Sequence, residues 1–105
     1  MKRLLIVEDD RLLATVYQRK FAEAGMTVKV AGTGQDGLQQ VAAYRPHGLL
    51  LDLMLPDISG IEVLQSLRSA GATRELPVVV FTNAFLPGTI QSVRDAGATA
   101  VVTKA

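Results

Sequence analysis

Acid, hydroxyl and amine side chains in this chain fall just past short apolar runs. Glu8, Asp9 and Asp10 follow residues 4–7, Asp52 follows Gly48-Leu-Leu-Leu51, Thr82 follows residues 78–81, and Lys104 follows residues 100–103. Runs this apolar read as strands buried on both faces, and an open α/β sheet keeps its chemistry beyond the C-terminal ends of such strands. If the strands are parallel, all of these residues share one rim. Carboxylates crowded together repel, so some would stay protonated unless a cation sat among them. Oxygen ligands, with no cysteine and no suitably placed histidine, select a hard ion. Mg²⁺ comes first because it accepts a few carboxylates and keeps its remaining waters. Asp52, read as an exposed acid, is open to use as a nucleophile, a metal ligand or a clamp for a ribose hydroxyl. Beside Mg²⁺ it can attack phosphorus and become an acyl phosphate. The Thr82 hydroxyl and the Lys104 ammonium suit the phosphoryl oxygens.

Those positions work only if strands and helices alternate, and the apolar spacing says that they do. Residues 4–7 predict a first strand. Residues 11–24 carry Leu13, Val16, Tyr17, Phe21 and Ala24 at the spacing of one helix face, with Asp10 as N-cap and Gly25 as the stop. A mixed strand over 27–31 precedes a helix over 35–44 that turns Leu38, Val41 and Ala42 inward and ends at Pro46. After the third strand, 49–51, Ser59-Gly-Ile-Glu62 matches a capping box for a helix with core face Ile61, Leu64 and Leu67, ended by Gly71. Residues 78–81 predict the fourth strand, 89–96 a short fourth helix closed by Gly97, and 100–103 the fifth strand. Each later strand follows a helix, so right-handed crossovers and a parallel sheet are expected. The fold class is α/β. Alternation calls for a fifth helix that these residues do not include, which would leave an apolar area open near strands one and five.

Composition bounds the partners. The 105 residues fit one domain, read as 1–105 and ending after the fifth strand, and the 49% apolar content argues for a packed core over disorder. Eleven basic against ten acidic residues give a formal charge of +1, too balanced for a nucleic-acid surface. The absence of cysteine excludes disulfides and thiolate chemistry and fits the cytoplasm. Glu8-Asp9-Asp10 interrupts the apolar N-terminus well short of a signal peptide or a membrane span.

With these residues in place, the chain resembles the receiver domains of response regulators in two-component signalling. The matching segments are Leu4-Leu-Ile-Val-Glu-Asp-Asp10, Leu49-Leu-Leu-Asp-Leu-Met-Leu-Pro-Asp-Ile-Ser-Gly60, Val78-Val-Val-Phe-Thr82 and Val101-Val-Thr-Lys104, in order along the whole chain. The resemblance implies a flavodoxin-like, doubly wound sheet of order 2-1-3-4-5. It implies Asp52 as phosphoacceptor, with Glu8, Asp9, Asp52 and the main-chain carbonyl of Met54 around Mg²⁺. Thr82 becomes the switch hydroxyl and Lys104 the phosphate-binding lysine, while Asp10 remains a helix cap. The implied partners are a histidine kinase or phosphotransfer protein and, through the face of helix four and strand five, an effector domain or a second copy. No direct contact with nucleic acid or membrane is implied. Such a domain is a phosphorylation-controlled switch that catalyses at most its own phosphorylation and dephosphorylation. Three positions depart from the family pattern: Val101 replaces the usual aromatic, Asn83 the usual very small residue after the threonine, and Ala105 the usual proline after the lysine.

Two competing functions are weighed against this one. An interaction module whose altered switch residues uncouple output from phosphorylation would keep the site and lose the signal. A small nucleotide-binding domain would use Gly32-Thr-Gly34-Gln-Asp-Gly37, a literal G-x-G-x-x-G between strand and helix, and would demote Asp52 to a ribose ligand. It leaves Glu8, Asp9, Thr82 and Lys104 without work. Taken singly, the acids after strand one are helix caps, Lys104 a surface lysine and His47 a solvent-exposed loop histidine.

Overall fold

The computed structural model describes residues 2–82 and 88–103. Five strands, β1 (Arg3–Val7), β2 (Thr27–Ala31), β3 (Gly48–Asp52), β4 (Val78–Thr82) and β5 (Ala100–Thr103), alternate with α1 (Arg11–Glu23), α2 (Gly34–Tyr44), α3 (Gly60–Ser69) and α4 (Thr89–Asp95). The strands form one sheet, parallel as the alternation predicts, in the order β2-β1-β3-β4-β5 that the resemblance implies. The chain reverses direction across the sheet between β1 and β3, so the rim beyond these two strands is where a doubly wound fold opens its crevice.

Central strands are apolar because both of their faces are covered. Leu5, Val7, Leu49, Leu51, Val78 and Val80 meet Val41, Val63, Leu64, Leu67 and Val93 from α2, α3 and α4. Alternate residues Leu4, Ile6, Leu50 and Phe81 meet Leu13, Tyr17 and Phe21 of α1, where the Tyr17 and Phe81 rings pack edge to face at 5.3 Å. Each fully buried leucine or isoleucine contributes about 1.5–3 kcal/mol of transfer free energy. The open apolar area expected near strands one and five is found at only one of the two. Val102 of β5 is 47% exposed, whereas α1 seals Leu4 and Ile6 of β1.

Four details of the helices differ from expectation. In α1 the buried residue is Ala14, while Val16 is 45% exposed and Ala24 is exposed, because apolar residues on more than one face leave the phase of the helix open. In α2 Ala42 is exposed, and in α3 Val63 is buried more fully than Ile61. Gly71 is not the C-terminal device of α3. The helix ends at Ser69 with Ala70 extended, and the Thr73 hydroxyl donates to the Leu67 carbonyl at 2.6 Å.

The end of the sheet opposite the acids is tied by polar contacts. The Arg3 guanidinium donates to the carbonyls of Arg45, at 2.7 and 3.0 Å, and Tyr44, at 3.1 Å, closing α2 where Arg45 takes a left-handed conformation. The Arg3 N–H donates to His47 Nδ1 at 2.9 Å, and the His47 N–H donates back to the Arg3 carbonyl at 2.8 Å. Loss of hydration and the charges of Arg3 and Lys2 hold the imidazole below its usual 6.5. The unfolded chain therefore takes the proton first as pH falls. Stability is full above pH 6.5 and declines below it toward the lower folded value. Melting temperature should fall as pH drops from 6.5 to about 5, before carboxylates titrate. His47→Asn should flatten that slope, and an unchanged slope in the variant would refute the assignment.

Candidate functional site

Each acid reaches the rim because a strand ends beneath it. Glu8 extends β1 by one hydrogen bond, its N–H donating to the Ala31 carbonyl at 2.9 Å, and its side chain is buried. Asp9 follows and is exposed. Asp10 turns away: its Oδ1 accepts from the N–H groups of Leu12 and Leu13 at 3.0 and 3.1 Å, the helix cap that the sequence predicts. Asp52 is the last residue of β3 and is only 3% exposed, so the exposed acid expected there is in fact a buried one. It terminates a central strand, and Leu53, the next residue, is also buried. The Met54 N–H lies 3.4 Å from Asp52 Oδ1, at the long limit of a hydrogen bond, and the Met54 side chain is 68% exposed.

Glu8, Asp9 and Asp52 each offer a carboxylate oxygen, and these oxygens lie within 4.8 Å of one another. Two oxygens on opposite sides of one Mg²⁺, each bonded at about 2.1 Å, would be about 4.2 Å apart. Adjacent oxygens on the same ion would be about 3.0 Å apart, so the three must draw closer around it. Three oxygen donors of which one is exposed also suit an ion that keeps part of its water, so the residues fit the group. A cleft of ≈ 490 Å³ bordered by Glu8, Asp9, Arg11, Gln18 and Thr33 opens beside the acids. A larger groove, ≈ 700 Å³, lies between α2 and α3 against Leu38, Val41, Leu67 and Leu76 and shares no residue with the acid cluster.

Thr82 ends β4, is 3% exposed, and pairs in register with Thr103, the last residue of β5. The register places Thr82 one position beyond the level of Asp52, which pairs with Phe81. Lys104, which follows Thr103, lies outside the described residues, as do Asn83 and Ala105. Val101 is partly buried against the main core.

The glycine motif has another use. A Cβ at Gly34 would lie 2.4 Å from Ile58 Cγ1, and one at Gly37 would lie 2.9 Å from Val7 Cγ2. These positions are glycine so that α2 can approach the β3–α3 loop and β1. The anion place at the head of α2 is filled from within: Asp57 Oδ1 accepts from the Gly34 N–H at 2.7 Å, and Asp57 Oδ2 from the Gln35 N–H at 2.8 Å. A pyrophosphate has no room on those donors. Asp57 is the residue that sequence reasoning missed, since its partners stand more than twenty residues upstream and no local pattern links them.

Known proteins share this fold. Residues 4–105 match the model of the response regulator receiver domain. The response regulator MprA of Mycobacterium ulcerans is 40% identical over 80 residues, which cover 76% of this chain and 34% of that protein. The chain thus spans about a third of the length of the curated relatives it matches. Among solved structures, the BeF3-activated N-terminal receiver domain of Klebsiella pneumoniae RstA superposes with a TM-score of 0.92 at 25% identity, over 99% of this chain and 86% of that one. The chemotaxis protein CheY4 of Vibrio cholerae shares the fold, with a TM-score of 0.93 at 23% identity over 99% of this chain and 87% of its own.

Proposed function

The chain belongs to the response regulator receiver domains of two-component systems, and from that premise we propose that Asp52 accepts a phosphoryl group from a histidine kinase phosphohistidine in a Mg²⁺-dependent reaction. The observation that carries the proposal is the gathering of Glu8, Asp9 and Asp52 oxygens within 4.8 Å at the ends of β1 and β3. An Asp52 carboxylate oxygen attacks phosphorus, the phosphorus–nitrogen bond breaks, and its electron pair stays on the donor imidazole, which takes a proton from solvent. The products are an acyl phosphate and a neutral histidine.

Glu8, Asp9, Asp52 and the Met54 carbonyl would hold the ion, which when bound supplies positive charge opposite the phosphoryl oxygens. Burial of Asp52 fixes its rotamer and lowers the number of water molecules that compete with the donor. Thr82, at the end of the neighbouring strand, would supply a hydroxyl on the same rim, and Lys104, which follows Thr103 in the sequence, would offset the remaining oxygen charge. The reading includes a cytoplasmic location; among the described residues no helix is long and apolar enough to cross a membrane. An effector domain or a second copy would read the state through α4 and β5.

Val101 favours a second reading of the output side alone. It sits partly buried against the main core where the family has an aromatic, so a ring that swings between surface and interior is missing. A module with phosphorylation uncoupled from output would show this. Mg²⁺ with beryllofluoride should shift the amides of residues around Asp52 saturably in wild type and leave Asp52→Asn unchanged. Shifts that spread to α4 and β5 support the switch, and shifts that stay at the rim support the uncoupled module. No response in wild type would refute the phosphoacceptor.

A further inference from the structure

We infer that Asp57 is a positioning residue for the Mg²⁺ site: by capping α2 from the β3–α3 loop it holds the Met54 backbone, whose N–H lies 3.4 Å from Asp52 Oδ1, beside the acid cluster, and so sets the affinity of that cluster for the ion. The inference rests on the reading of Glu8, Asp9 and Asp52 as that site. The segment between Asp52 and Gly60 has apolar anchors in Leu53, buried in the main core, and in Leu55 and Ile58, each partly buried against it. Met54 and Pro56 are exposed and anchor nothing. The Asp57 carboxylate adds a polar tie at its centre, one oxygen on each of two consecutive N–H groups at 2.7 and 2.8 Å. Asp57 is exposed, so solvent screens its charge, but charge-assisted bonds at the positive end of a helix are stronger than neutral ones in the same geometry.

The helix does not need Asp57 for an ordinary cap, because Thr33 already serves that role by accepting from the Asp36 N–H at 3.0 Å. Two caps on one helix end divide the work. Thr33 is local to α2, whereas Asp57 belongs to the loop that carries Met54. The tie also explains why Gly34 can accept no side chain, since Ile58 beside Asp57 is drawn into the space a Cβ would take. The Gln35 N–H, as the main influence, holds the Asp57 carboxyl below the usual carboxylate range, consistent with a contact made by the charged form.

Asp57→Ala, Asp57→Asn, Thr33→Ala and Asp36→Asn, each titrated with Mg²⁺ while the amides of residues 52–55 are followed, test the inference. Asp57→Ala should weaken Mg²⁺ binding roughly tenfold, the usual loss when a group that orients a metal ligand is removed. Asp57→Asn retains one acceptor and should recover part of that loss, and it carries the comparison if the alanine variant does not fold. Thr33→Ala frays the same helix end and Asp36→Asn removes a charge from it, and both should bind Mg²⁺ as wild type does. Wild-type affinity in both Asp57 variants overturns the inference and leaves the site reading standing. A loss in Thr33→Ala or Asp36→Asn as large as in Asp57→Ala also overturns it. A wild-type chain that binds no Mg²⁺ overturns both.

Discussion

Asp52→Asn is expected to bring phosphorylation by acetyl phosphate or a donor phosphohistidine down to background, a loss on the order of a thousandfold or more. An amide of the same size keeps the packing under the loop and removes the attacking oxygen anion. The fold should survive the exchange. Three carboxylates within 4.8 Å repel when no cation is present, so loss of one charge should leave the metal-free variant at least as stable as wild type. Phosphoryl incorporation by intact mass, beside a thermal melt without Mg²⁺, checks both halves. Label that persists near wild-type level, mapped to another residue, would remove Asp52 from its role.

The second large effect is expected at Gly60. A Cβ there would lie 2.5 Å from the Asp52 carbonyl oxygen and 2.8 Å from Leu53 Cα, and the Gly60 N–H donates to the Leu53 carbonyl at 2.8 Å. Those neighbours are backbone, one at the end of the central strand and the other the residue that follows it. They cannot step aside as a flexible side chain would. Gly60→Ala must tilt α3 or lift the end of β3, at a cost of about 1–3 kcal/mol. Either movement displaces Asp52 from Glu8 and Asp9, so Mg²⁺ affinity should fall together with the melting temperature. Gly71→Ala is the control, since nothing lies within 4 Å of its Cβ position and its φ is not positive. It should change stability by less than about 0.5 kcal/mol. A Gly60→Ala protein as stable as this control would show that the loop yields where its geometry says it does not.

Strand ends were the legible part of the site. Glu8, Asp52 and Thr82 each end or follow a run so apolar that it has to be covered on both faces, and parallel pairing then brings those ends together whatever the details of the helices. Asp10 was legible as a cap because capping is read over two or three residues. Helix phase was not, as Ala14 and Val16 show. Several apolar residues on one helix satisfy more than one orientation, and packing against Leu4, Ile6 and Phe81 decides among them. Asp57 was invisible for a different reason: its contact joins a loop to the start of α2, which only the finished sheet brings side by side. The burial of Asp52 was also beyond local reading, because burial is a property of the assembled fold.

The sheet divides the apolar interior into two unequal bodies, and this division bears on cooperativity. The larger body is built from the strands with α2, α3 and α4, while the smaller one is closed by α1 alone among the described residues. Local opening should therefore begin with α1, which can lift without dismantling the larger body. Glu8 and Asp9 are joined directly to α1 through its cap, and Asp52 belongs to a strand that both bodies share. Whatever binds across those three acids works as a rivet between the two. Its binding free energy is spent in part on keeping α1 seated, so the looser layer of the fold and the occupancy of the rim are one linked equilibrium.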